Sequence, residues 1–156
     1  MKKAEFVGHL FMYLLGIIMV SFILVFGYKA IVGFKDNTKT FEDVKLKEDL
    51  AASVKNAMPY GDVSNKEFKV PGFRMVCFVK THDGFPSTSS IPYPLIKNSV
   101  AKNVQKNVFF VNNDMEDSHY VGEINVSTST GFLCKNLTGG RLLVRLEGFG
   151  DYVKIS

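Results

Sequence analysis

Few residues in this chain have chemistry to offer, and they are scattered. The only two cysteines are Cys77 and Cys134. Each lies among large apolar neighbours in a stretch that reads as a strand, Phe73 to Lys80 (FRMVCFVK) and Gly131 to Lys135 (GFLCK). In an oxidising compartment they are a candidate disulfide, and the loop they would close, roughly 58 residues, is worth about 4 kcal/mol in the chain-entropy account. In a reducing compartment they would be two buried thiols. Asn125-Val126-Ser127 and Asn136-Leu137-Thr138 match the N-glycosylation triplet. Asn136 adjoins a turn signal and is the better acceptor, whereas Asn125 falls inside a predicted strand.

The remaining candidates point away from catalysis. Of His9, His82 and His119, none has a carboxylate or cysteine at metal-ligand spacing apart from His82, beside Asp83. The run Asn112 to Asp117 (NNDMED) gathers oxygen donors but lacks the glycine and spacing of a calcium loop, so it reads as a solvated hairpin turn. No G-x-S-x-G, phosphate-cradling glycine loop or readable pair of carboxylates occurs. No catalytic, cofactor-binding or metal-ligating residue is expected, nor a cofactor, and the chain reads as a non-enzyme.

Three unlike stretches must position these residues. Residues 1–35 read as an N-terminal transmembrane anchor, 36–66 as a linker with an amphipathic helix, and 67–156 as a β-rich extracytoplasmic domain. Leu10 to Tyr28 holds no charged side chain, and as a helix it would span roughly 28 Å, close to the hydrocarbon thickness of a bilayer. The run is longer than the apolar core of a usual secretory signal, and no A-x-A-like site follows, so an uncleaved anchor is expected over a cleaved signal or a buried helix. Within it Gly16, Val20, Ile23 and Gly27 recur at three- and four-residue steps, a candidate self-association stripe.

The net charge of +4 belongs mostly to this segment. Of 19 basic and 15 acidic residues, four and one fall within the first 35, which leaves 15 against 14 for the rest. A nearly neutral domain without a basic face excludes a nucleic-acid partner. The partners expected are the lipid bilayer and another protein, either a copy of this chain or a membrane complex. Basic residues flank the apolar run on both sides, so their count does not set its orientation. The candidate disulfide favours the C-terminal domain outside the cytoplasm.

After the apolar run, Lys35 to Lys39 (KDNTK) reads as a polar break, with Thr40 able to cap a new helix. Phe41, Val44, Leu50, Ala51, Val54 and Met58 then recur at helical spacing up to Pro59. Beyond Pro59 the period becomes alternating. Strands are expected near 73–80, 107–111, 119–126, 131–135, 141–147 and 152–155, with a short helix from about 95 to 104. Gly139-Gly140 reads as the turn of a hairpin joining the fourth and fifth of these strands. The fold class is therefore α+β: an N-terminal transmembrane helix, an amphipathic helix, then a small antiparallel β-rich domain.

A short basic leader (MKKAEF), a long apolar N-terminal helix and a small β-rich C-terminal domain together resemble the archaeal branch of type IV pilin-like proteins. That resemblance implies peptidase cleavage between Ala4 and Glu5, with the apolar helix entering a filament core; His9 stands where bacterial-type pilins place a glutamate. The chain also resembles small archaeal single-span membrane proteins, through Phe26-Gly27-Tyr28-Lys29-x-Ile31, Val70-Pro71 with Cys77-Phe78, and Leu146-Glu147-Gly148-x-Gly150-Asp151. This second likeness covers most of the chain and implies no activity. The expected function is that of a membrane-anchored cell-surface structural or assembly protein, a pilin-like filament subunit, or alternatively a tethered binding module or accessory subunit of a membrane complex.

Overall fold

A computed structural model describes the backbone of residues 2–113 and 115–156, and side chains over 11–31 and 41–156 apart from positions 90, 114 and 116. The chain divides into two compact units, Met1–Phe41 and Glu42–Ser156. Helix α1, Lys2–Asn56, supplies the first unit and the opening of the second.

In the first unit, Phe11–Ile31 is long and apolar enough to cross a membrane, with mean hydropathy 2.3, and none of it is buried against the rest of the chain. At 1.5 Å per residue it spans roughly 31 Å. Ser21 satisfies its hydroxyl within the helix, donating to the Ile17 carbonyl at 2.8 Å. Membrane anchors and signal sequences share this length and composition.

The expected break at 35–39 is absent: the backbone is helical through Lys35 to Thr40, so no new helix starts at Thr40. No Gly or Pro lies between Phe34 and Met58. Lys, Asp, Asn and Thr each disfavour a helix by only a few tenths of a kcal/mol, so carrying the helix through costs less than ending and restarting it.

The second unit is α+β. It orders as the end of α1, β1 (Val63–Lys69), β2 (Met75–Val79), a 3-10 turn (Thr88–Ser90) and α2 (Pro94–Ala101). Then follow β3 (Val108–Val111), β4 (Met115–His119), β5 (Ile124–Val126), β6 (Phe132–Asn136), β7 (Arg141–Gly148) and β8 (Val153–Ile155). One sheet has the order β1-β7-β8-β5, the other β4-β3-β2-β6. All pairings are antiparallel except β5 with β8, which is parallel.

The two sheets share one apolar interior. Strand β7 contributes by plain alternation, with Leu142, Val144 and Leu146 buried and Arg141, Leu143 and Arg145 outward. Val76 and Phe78 of β2 and Val108 and Phe110 of β3 face the same interior. The other faces of β2 and β3 are buried as well: Cys77, Val79, Phe109 and Val111 meet Ile91 and, from α2, Ile96 and Val100. Burial on both faces is why these strands read as unbroken apolar runs.

From α1, Leu46, Leu50, Val54 and the following Ala57 enter the shared interior. The buried stripe differs from the expected one, because Phe41 and Val44 are exposed and Leu46 is buried. Leu46 lies one turn before Leu50, on its face, whereas Val44 lies on another side. Beyond Asn56 the chain presses against Gly148, whose N–H donates to the Asp62 carbonyl at 2.8 Å. A Cβ at Gly148 would stand 2.1 Å from the Ala57 carbonyl oxygen and 2.2 Å from that of Pro59, so only glycine fits there.

Two further expectations give way. The stretch 119–126 is two strands, because Asn107 folds the chain between them. Its amide oxygen accepts from the Val121 N–H at 3.0 Å, and its amide nitrogen donates to the Gly122 carbonyl at 2.6 Å. The Gly139-Gly140 turn, with φ of 62° and 69°, is closed by a single antiparallel bridge between Thr138 and Arg141, after which the strands it joins part into different sheets. Leu137 packs toward the interior and its N–H donates to the Arg74 carbonyl at 2.8 Å. This keeps β6 beside β2, while β7 pairs with β1 and β8.

Candidate functional site

The β-bearing unit carries an open groove of about 570 Å³. Helix α1 gives it Glu42, Lys45 and Asp49; β1 gives Glu67 and Lys69; the Gly139-Gly140 turn and Arg141 close it. Leu46, Phe68 and Pro71 supply apolar surface between these charges. Three carboxylates and three cations thus line one recess. No Cys, His, Ser or Thr is among the described residues lining it.

Glu67 and Arg141 join this groove to a neighbouring hollow of about 290 Å³, which also involves Lys135, Asn136, Thr138 and Leu143. Arg141 Nη1 donates to Glu67 Oε1 at 2.9 Å across the β1–β7 pair. Both side chains are largely solvated, so the pair contributes under about 1 kcal/mol. Lys135 Nζ donates to the Leu143 carbonyl at 3.1 Å, tying β6 to the other sheet. Burial holds the Lys135 ammonium below its ordinary pKa. The groove was illegible from the sequence, because it assembles ordinary charged residues from three distant stretches. Its one local signal was the Gly139-Gly140 turn.

Cys77 and Cys134 form a disulfide. They lie directly opposite one another in the β2–β6 register, so strand pairing itself brings them together. Both belong to the smaller apolar cluster beside α2. Of the two glycosylation triplets, Asn136 ends β6 and is exposed, while Asn125 lies half-buried in β5 with its amide oxygen accepting from the Val126 N–H at 2.8 Å.

The expected solvated turn at 112–117 is shorter than expected, because Met115–His119 is strand β4. Asn112 donates to the Gly72 carbonyl at 2.9 Å, Arg74 donates to Asn113 at 3.3 Å, and Asp117 pairs with Lys47 of α1. Asp114 lies outside the described residues. Among those described, no three His, Cys, Asp or Glu side chains gather as a metal site.

His119, at the end of β4, is held below its ordinary pKa of 6.5, first by burial and then by the Lys106 and Lys47 ammonium groups, with Asp117 opposing. Tyr120 is pushed up to about 12 by burial, by its hydrogen bond to Glu123, and by that carboxylate's charge. Its hydroxyl donates to Glu123 Oε1 at 2.7 Å. His82 stacks on Tyr152 with ring centres 4.0 Å apart, Tyr152 stacks on Phe149 at 4.9 Å, and Tyr60 meets Phe149 edge-on at 6.3 Å. In this column the rings occupy one another's faces, which makes it a clasp between three loops.

On the apolar stretch of α1, Gly16, Val20, Ile23 and Gly27 are all exposed, and a Cβ at either glycine would meet nothing within 4 Å. The side chains of Ala4, Glu5 and His9 lie outside those described.

No protein-family model matches the chain, and no curated protein or solved structure is similar enough to count as a match.

Proposed function

We propose that this protein is a single-span membrane protein whose β domain lies outside the cytoplasm and serves assembly, as a pilin-like subunit without catalytic activity. The observation that carries this reading is the division of labour along one unbroken helix. Leu46, Leu50 and Val54 root the end of α1 in the β domain, while Phe11–Ile31 of the same helix has no cover within the chain. A helix built this way needs lipid or other helices around its uncovered length. In this reading Gly16, Val20, Ile23 and Gly27 are where copies approach one another, and the leader ends at Ala4 with Glu5 as the first mature residue.

The Cys77–Cys134 disulfide supports the outside location, because such bonds persist in oxidising compartments. The mixed-charge groove supports a binding role over a reaction.

The test is the intact mass of the protein purified from its own membranes, with and without reductant, followed by sedimentation. The expected result is a mass short by Met1 to Ala4 and by the two thiol hydrogens, in a particle that sediments as a polymer. A protein that keeps its leader with both thiols reduced would overturn the reading. A leader-bearing protein that co-sediments with a larger partner would make it a tethered accessory subunit instead.

A further inference from the structure

We infer that Asn136 carries an N-linked glycan and that Asn125 does not. The inference rests on the extracytoplasmic reading above, because the sugar donors for this modification are presented on that side of a membrane.

The two triplets share a sequence pattern and lie on edge strands, but they differ in the exposure of the asparagine. Asn136 is the last residue of β6, an edge strand, and is exposed. Its backbone pairs with Met75 of β2. Thr138 is also exposed, and the chain leaves the sheet there through the Gly139-Gly140 turn. A transferase must bend its acceptor triplet away from neighbouring chain to bring the amide nitrogen to the donor, which at Asn136 means opening only the last rungs of β6, the Asn136–Met75 pairing and the Leu137 N–H bond to the Arg74 carbonyl, beside the Gly139-Gly140 turn.

At Asn125 the side chain is half-buried instead. Strand β5, also a sheet edge, is laddered to β8, with Asn125 opposite Lys154. The next residue, Val126, is 5% exposed, and the Ser127 N–H donates to the Ile155 carbonyl at 3.0 Å. The triplet could enter a transferase only if β5 left its sheet.

The surroundings of Asn136 also suit a sugar. It lies on the rim of the 290 Å³ hollow, whose floor includes Leu143, 65% exposed and the one apolar side chain pointing outward from β7. Around Leu143 stand Glu67, Lys135 and Arg141. A pyranose has the same division, a C–H face and a rim of hydroxyls, so the first sugar residue lies against Leu143 with its hydroxyls toward Glu67 and Arg141. A glycan there also shields the open edge of β6 from pairing with another strand.

The donor is a sugar linked through phosphate or pyrophosphate to a membrane lipid. The Asn136 amide nitrogen attacks the anomeric carbon, and a C–N bond forms as the C–O bond to phosphate breaks. The oxygen leaves with its electron pair on the lipid phosphate, and the proton lost from nitrogen passes to a base of the transferase.

The test uses the full chain purified from its native membranes. Trypsin cuts after Lys135 and Arg141, separating Asn136 from Asn125, and mass spectrometry reads each peptide and the state of both cysteines. The expected result is a glycan mass on Asn136 alone, lost in Asn136→Gln and also in Thr138→Ala, which keeps the asparagine. An unmodified Asn136 in a protein with an intact disulfide overturns this inference and leaves the outside location standing. An unmodified Asn136 with both thiols reduced overturns both. A glycan on Asn125 overturns the assignment of the site.

Discussion

Helix α1 contains two apolar stretches that meet different surroundings. Over Phe11–Ile31 apolar side chains point in every direction and none is covered by the chain. Over Glu42–Asn56 they form one stripe, with Leu46, Leu50 and Val54 buried and Phe41 and Val44 left outside it. The first stretch can be read from composition alone. The second cannot, because its charged residues match those of the segment before it and only the periodicity marks what is buried. The comparison also shows why the helix does not break between them. Neither stretch needs a boundary, and the residues joining them oppose helix too weakly to impose one.

The largest expected effect lies where the rooted stretch ends. Gly148→Ala places a methyl group against the carbonyls of Ala57 and Pro59, which are backbone and cannot step aside. A loss on the order of 4 kcal/mol is expected in thermal or urea unfolding of the protein in detergent. A variant within about 0.5 kcal/mol of the parent would mean that the end of α1 docks elsewhere.

Alanine at matched positions sharpens the contrast next. Leu50 is 1% exposed, and Leu50→Ala should cost about 3 kcal/mol of domain stability through lost burial and the cavity left behind. Leu24, 67% exposed, should tolerate the same change with no effect on domain unfolding. Leu24→Arg reverses the ranking. It should cost about 3 kcal/mol of membrane insertion and release the protein into the soluble fraction, again without touching domain stability. If Leu24→Arg stays fully membrane-bound, the anchoring role of this stretch is wrong.

Much of the second unit was legible, and what was missed has a physical pattern. Strand β7 announced itself by alternation, and β2 and β3 by runs too apolar for any half-exposed strand. Strands β1 and β4 gave no such signal. Val63–Lys69 buries only Phe68, and Met115–His119 is largely polar. Each sits at a sheet edge, where backbone pairing to a neighbour suffices and side chains need bury little. The cysteines were visible as candidates, but only the register of β2 with β6 decides between a bond and two thiols. Of the groove only the Gly139-Gly140 turn was visible, since nothing local links residues 42–49 with 67–69 and 139–141.

Asn107 is the other residue that sequence could not reveal. It is the one fully buried polar side chain among the described residues, and both ends of its amide are used in shaping the turn before β5. Asn107→Leu keeps the volume but leaves the Val121 N–H and Gly122 carbonyl without partners. A loss of about 2 kcal/mol is expected by chemical denaturation. An unchanged midpoint would show that the turn holds without its clamp.

The smallest effect concerns the ion pair of Lys47 on α1 with Asp117 on β4, close to His119. Burial and two nearby ammonium groups hold the folded His119 below 6.5, so the unfolded chain takes up its proton first as pH falls. Stability from this group is therefore fully present above about pH 6.5 and is lost as pH drops from there toward the lower, folded value. His119→Gln should flatten unfolding midpoints measured from pH 7 to 5 relative to the parent. Lys47→Met removes one of the two cations and should lessen the slope without abolishing it, since burial and Lys106 remain. It should also cost about 0.5 kcal/mol at neutral pH, the usual scale of a half-exposed pair. A slope unchanged in Lys47→Met but flattened in His119→Gln would mean that α1 does not hold Lys47 near β4 in solution, and would confine the rooted stretch to its apolar stripe.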